Sequence, residues 1–132
     1  MRLLGIDFGL KRVGLAIGDD QSYLAQPYQV LKVNGGNDHS LLTRVKDFCC
    51  RLEIDQIVLG MPEGKLVSKI KRFGKKLETE TGLPVAYQDE TLTSKEAVDK
   101  MIRVGMKRKF RKEKEDAVSA ALILEKYLEN YV

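Results

Sequence analysis

Leu3-Leu4-Gly5-Ile6-Asp7-Phe8-Gly9-Leu10-Lys11-Arg12-Val13-Gly14-Leu15-Ala16-Ile17-Gly18-Asp19 decides how this chain is read. Apolar runs flank a segment punctuated by Gly9 and Gly14, which predicts two strands joined by a tight connection. Asp7 is the odd residue. A carboxylate at the apolar end of a central strand is costly to bury unless a cation compensates it. The glycines around it remove side chains where a phosphate or a metal ion could approach the backbone. The stretch is therefore expected to hold an acid beside a phosphate, rather than to form a plain hairpin whose Asp merely favours the turn.

Working outward, 132 residues suffice for one domain, burying roughly two-thirds of the unfolded surface in a single core. With 43% hydrophobic and 32% charged residues, the composition suits neither a disordered nor a membrane-spanning chain. The apolar runs fall well short of the ~20 residues that a bilayer requires. The chain opens directly on strand-like sequence without a signal-peptide pattern, so a cytoplasmic location is expected. Cys49 and Cys50 are adjacent on an expected helix and suit neither a disulfide framework nor a metal site; both are read as packing residues. His39 is the sole histidine and lies in polar, loop-like sequence, which sets aside His-based catalysis and His-rich metal sites.

The net charge of +4 is modest, but its distribution is uneven. Between Arg103 and Lys114 lie Arg103, Lys107, Arg108, Lys109, Arg111, Lys112 and Lys114 against a single acid, Glu113. Such a run repels itself and does not pack into a core, so it is expected to be a loop that contacts a polyanion. Phe110 lies inside it, and an acid-bearing segment follows.

In chain order, strands are expected at Arg2–Phe8, Arg12–Gly18 and, after a loop around Pro27, Tyr28–Val33. Leu41, Leu42, Val45, Phe48, Cys49 and Leu52 then recur at helical intervals, with Asp38 and Ser40 as possible caps. Ile54–Gly60 reads as a strand buried on both faces and closed by Met61-Pro62. A second amphipathic helix carries Leu66, Val67, Ile70, Phe73 and Leu77 on one side and many lysines on the other, ending at Gly82-Leu83-Pro84. Val85–Gln88 gives a fifth strand. Thr93-Ser94-Lys95-Glu96 matches a capping box, opening a helix through Ile102 that Gly105 would end. The last helix is expected from Glu115 to about Glu129, with Asp116 in its first turn.

Three meander strands followed by crossover units predict an α/β fold with a mixed five-stranded sheet flanked by helices. Sites in such sheets form beyond the carboxyl ends of parallel strands. Asp7, Gly60-Met61-Pro62 and Asp89-Glu90 all fall at that edge. Carboxylates that close repel one another unless one protonates or a divalent cation binds. Oxygen ligands without His or Cys favour Mg²⁺ or Mn²⁺, and with nucleic acid as the anion the natural reaction is phosphodiester hydrolysis. Lys11 and Arg12, with the cations of the 103–114 run, are candidate phosphate contacts. Strand alternation lets only one of Asp89 and Glu90 face the site. Asp19 and Asp20 read as turn residues.

Four blocks in order then carry a resemblance over almost the whole chain: Asp7-Phe8-Gly9-Leu10-Lys11-Arg12-Val13-Gly14, Gly60-Met61-Pro62, Asp89-Glu90-Thr91-Leu92-Thr93-Ser94, and Lys114-Glu115-Asp116-Ala117-Val118-Ser119-Ala120-Ala121-Leu122-Ile123-Leu124. The sequence resembles the YqgF/RuvX family of pre-ribosomal-RNA nucleases, also described as Holliday-junction-resolvase-like, with a ribonuclease-H-like fold. The resemblance implies that Asp7, an acid of the Asp89-Glu90 pair and Asp116 form a metal-binding triad. It also implies a substrate of structured RNA, such as the 5′ end of the small-subunit ribosomal RNA precursor, or of branched DNA, acted on by a monomer or homodimer. The chain departs from the family pattern at Thr91, where Arg is usual, at Ala117, where Ser is usual, and in its short Met61–Lys65 segment. Two other classes fit parts of the pattern. One is a non-catalytic nucleic-acid-binding module. The other is an ATPase or sugar-kinase relative, whose fold needs two such domains where 132 residues supply one.

Overall fold

The computed structural model describes residues 1–33, 38–62, 64–89 and 108–130, with Asp99 and Arg103 singly. Apart from Asp99, the expected capping-box helix at Thr93–Ile102, its end at Gly105, and Glu90, Thr91 and Lys107 lie outside the described residues. The elements are β1 (Arg2–Asp7), β2 (Arg12–Asp19), β3 (Ala25–Lys32), α1 (Asp38–Arg51), β4 (Gln56–Met61), α2 (Val67–Thr81), β5 (Val85–Asp89) and α3 (Arg108–Glu129). The strands form one sheet of order β3-β2-β1-β4-β5. β1 pairs antiparallel with β2 and β2 with β3, whereas β1–β4 and β4–β5 are parallel, as expected of a meander followed by crossovers.

Alternation along the central strands assigns each helix to a face. Leu4, Ile6, Phe8, Val13, Leu15, Ile57 and Leu59 point to one side, where α1 brings Leu41, Val45 and Phe48 and α2 brings Ile70, Phe73 and Leu77. Leu3, Ala16, Ala25 and Val58 point to the other, against Ala120, Ala121, Ile123, Leu124 and Leu128 of α3. Each fully buried Leu or Ile in these two layers contributes roughly 1.5–3 kcal/mol of transfer free energy. Gln56, on the α3 side of β4, donates from Nε2 to the Tyr127 hydroxyl at 2.9 Å, tying the far end of α3 to the sheet. Gly82, at φ +72°, closes α2 in the left-handed conformation, its N–H reaching the Glu78 carbonyl.

Several boundaries differ from the sequence expectation. β3 begins at Ala25 and passes through Pro27. The register jumps from Leu15↔Gln29 to Ala16↔Pro27, so Tyr28 is an extra residue in a bulge. β3 lies at the sheet's margin, where a missing N–H is tolerated. His39 sits in the first turn of α1 rather than in a loop. Cys49 is buried, as a packing residue should be, but Cys50 is exposed.

The largest change is at the last helix. The stretch from Arg108 to Lys114, expected as a loop, is helical, so α3 starts seven residues before Glu115. Lys and Arg are good helix formers, so the cationic run is compatible with helix. Asp116 is therefore about two turns into α3, not in its first turn, and the helix dipole does not account for its position.

Candidate functional site

The site is built where β1 ends. Asp7 is the last residue of β1, half-buried, and faces Gly14 of β2 as its cross-strand partner. Directly opposed residues of an antiparallel pair have Cα atoms about 4.5–5.5 Å apart and side chains on the same face. Gly14 is covered by α3: a Cβ built on it would collide with the carbonyl of Asp116 and the amide of Ala117. Asp7 and the Asp116 peptide are therefore neighbours of the same glycine, on the same face of the sheet.

This close approach belongs to a wider seam. Gly5 on β1 faces the Ala120 carbonyl, 2.9 Å from where its Cβ would be, and Gly18 on β2 faces Leu124 at 3.0 Å. Gly5, Gly14, Ala16 and Gly18 strip the β1–β2 surface of bulk, and α3 lies down on the backbone. Gly9 serves the chain itself, since its Cβ would lie 2.6 Å from the Arg12 carbonyl in the tight connection. Sequence reasoning assigned the glycines to an approaching phosphate or metal; the structure fills the space at Gly14 with α3 and at Gly9 with Arg12. The missed signal was the period-two run of small residues on neighbouring strands, which marks a helix seat as well as a ligand seat.

Asp116 has a cationic partner. Arg12 Nε lies 3.1 Å from Asp116 Oδ2, with the two side chains 53% and 28% exposed. The pair ties the start of β2 to α3. Lys11 is exposed in the same connection, and its carbonyl accepts from the Val33 amide at 2.9 Å. Lys114 is exposed two residues before Asp116. Arg108, Lys109, Arg111 and Lys112 occupy the first turns of α3, which continue past the end of β1.

Asp89 ends β5 in register with Met61, whose side chain packs with the α1/α2 core. Tyr87, two residues earlier, also faces α2 at Gly74. Asp89 thus belongs by alternation to the face opposite Asp7 and Asp116. Among the described residues no three acids gather as a metal site. Asp20 is a turn residue, as expected, whereas Asp19 ends β2 in register with Arg2 and turns its carboxylate onto the loop that follows. Asp19 accepts from the Ser22 amide (2.7 Å), the Ser22 hydroxyl (3.0 Å) and the Gln21 amide (2.9 Å). Those bonds, led by the Ser22 amide, hold its carboxyl below the usual range. Asp20 pairs with the amino terminus at 3.1 Å.

A family model described as "RuvX: Holliday junction resolvase" matches residues 1–130. The chain belongs to this family. RuvX-family relatives named "Putative pre-16S rRNA nuclease" include the protein of Agathobacter rectalis, 38% identical over 136 residues spanning 98% of this chain and 95% of the relative. That of Lactococcus lactis subsp. lactis is 36% identical over 97% of this chain and 94% of its own length. Among solved structures, Thermus thermophilus RuvC in complex with a Holliday junction substrate superposes with a TM-score of 0.65 at 18% identity, covering 99% of this chain and 95% of that one. The Fowlpox virus resolvase with Holliday junction DNA gives a TM-score of 0.68 at 18% identity, covering 100% and 99%. The fold is thus the ribonuclease-H-like fold of the resolvases, and the RuvX-family chain is an enzyme of the nuclease class, as the sequence blocks implied.

Proposed function

We propose that this chain is a divalent-metal-dependent nuclease in which Asp7, Glu90 and Asp116 hold Mg²⁺ or Mn²⁺. The observation that carries the proposal is the shared seat of Asp7 and Asp116 on either side of Gly14, at the carboxyl edge of the parallel strands. The donor set fits. Both are carboxylates with no His or Cys among their described neighbours, the chemistry of a hard cation, and Asp116 already attracts a guanidinium. Asp89 turns to the opposite face by register, so Glu90, the next residue, is the better candidate for the third ligand. When bound, the ion would activate water and stabilise charge developing on the phosphate.

The chain's own groups do the positioning. Lys11 and Arg12 flank the acids in the β1–β2 connection and contact non-bridging phosphate oxygens. Arg108, Lys109, Arg111, Lys112 and Lys114 on α3, with Lys107 before it, track the backbone of the strand being cut. The substrate is structured RNA, with the 5′ end of the small-subunit ribosomal RNA precursor suggested by the relatives' name, or branched DNA, suggested by the resolvase fold. Ribosomal RNA processing would place the protein in the cytoplasm. No helix of the described residues is long and apolar enough to cross a membrane.

The test is cleavage of a precursor-rRNA fragment and of a four-way DNA junction with Mg²⁺, Mn²⁺ or EDTA. Asp7→Asn should abolish metal-dependent cleavage while leaving the melting transition in place. Cleavage by Asp7→Asn at the wild-type rate, or cleavage in EDTA, would sink the metal-centred reading. Retained binding without cleavage in either protein would assign the chain to the binding-module class.

A further inference from the structure

A second cationic surface lies on the other side of the sheet. From Lys65 to Leu77 the sequence contains Lys65, Lys69, Lys71, Arg72, Lys75 and Lys76 and no acid. Ile70, Phe73, Gly74 and Leu77 are the buried side of α2, which turns the cations outward. Lys69, Arg72 and Lys76 follow i, i+3, i+7 spacing and so share one stripe, with Lys71 and Lys75 beside it. Among the described residues no ion pair neutralises Lys69, Lys71, Arg72 or Lys75. A cleft of about 550 Å³ between α1 and α2 adjoins the surface, lined by Arg72, Lys75, Lys76, His39 and Thr79 and by one acid, Glu80.

The position of this surface is as telling as its charge. α2 follows the carboxyl end of β4, so it starts at the edge where Asp7 sits. Phe73, the neighbour of Arg72, packs its ring on Phe8, the residue after Asp7, with centroids 5.0 Å apart. The cationic turns of α3 leave that same edge from the opposite face. A nucleic acid that places a phosphodiester at the edge would meet cations on both sides of the sheet.

We infer that the outer face of α2 is a second phosphate-backbone track, so that the substrate is a nucleic acid presenting two backbone segments that diverge at the cut site. This rests on the nuclease reading for the location of the cut. From Lys69 to Lys76 the helix rises roughly 10 Å, the axial rise of about three phosphates on one strand. A short single strand would engage one track only; a branched or folded substrate engages both.

The test replaces Lys69, Arg72, Lys75 and Lys76 with Gln together and follows binding by fluorescence anisotropy across a salt series in EDTA. The probes are a four-way DNA junction and a stem-loop RNA. With about 0.7–0.9 of slope per phosphate contact, the magnitude of the log–log salt slope should fall by about 3. The probe showing the larger fall identifies the polymer that the track is built for. A slope unchanged on both probes overturns the inference. Should the quadruple variant melt early, Lys71→Gln with Lys75→Gln serves instead, with an expected fall of about 1.5. Wild-type cleavage in Mg²⁺ is measured alongside. Intact cleavage with an unchanged slope sinks the second track alone, and absent cleavage with a fallen slope sinks the nuclease reading alone.

Discussion

Replacing Gly14 with Ala perturbs the site at the point where α3 touches the sheet. The added methyl would overlap the Asp116 carbonyl and the Ala117 amide, which are backbone atoms that no rotamer change can move. Overpacking a core costs typically ~1–3 kcal/mol, and a backbone obstacle puts Gly14 at or above the top of that range. Ala is intrinsically better than Gly in a strand by roughly 0.5–1 kcal/mol, which offsets part of the loss. The expected net cost is about 2 kcal/mol or more, equivalent to roughly 6–10 °C of melting temperature for a domain of this size. Gly5→Ala provides the scale, because its methyl would meet one backbone oxygen at 2.9 Å and the flexible Leu124 side chain at 3.0 Å. It should cost about half as much. Urea titration gives both numbers. Mn²⁺ titration gives a second readout, since lifting α3 separates Asp116 from Asp7 and should weaken binding in Gly14→Ala more than in Gly5→Ala. A Gly14→Ala protein as stable as wild type, or one that outranks Gly5→Ala, would refute the close-approach argument.

Arg12→Gln should change stability by less than about 1 kcal/mol, because its ion pair with Asp116 is half exposed. The same change should raise Mn²⁺ affinity several-fold by freeing Asp116 from a competing cation, and weaken nucleic-acid binding; calorimetry showing lower Mn²⁺ affinity would contradict the competition. Cys50 should react with a thiol reagent within seconds to minutes and Cys49 only on unfolding. Burial, with the neighbouring Cys50 a lesser cause, pushes the Cys49 thiol up to about 11 from an ordinary value near 9.0. The thiol stays protonated in the fold where the unfolded chain would ionise. Stability is therefore complete below pH 9 and falls as pH rises towards 11, a decline that Cys49→Ala should flatten.

The sequence exposed the layers because burial on two faces leaves a period-two trace in β1 and β2 and a helical trace in α1 and α2. Asp7 stood out for the same reason, as a charge where the pattern demanded an apolar side chain. The start of α3 was not legible, since a cationic run carries no apolar period to mark a helix. β3 was cut short because Pro27 reads as a breaker unless the strand's marginal place is known, and that depends on sheet order. The juxtaposition of Asp116 with Asp7 was implied by family resemblance alone. What creates it physically is Gly14, whose role depends on a helix a hundred residues away.

The margin formed by β3 has a consequence for self-association. An unpaired strand normally offers a neighbouring molecule a continuous row of donors and acceptors on which to extend the ladder. Here Pro27 lacks one donor and the Tyr28 insertion shifts the spacing of the rest, so a second copy docking strand to strand would fall out of step within a few residues. Growth of the sheet from molecule to molecule is thereby discouraged on this flank.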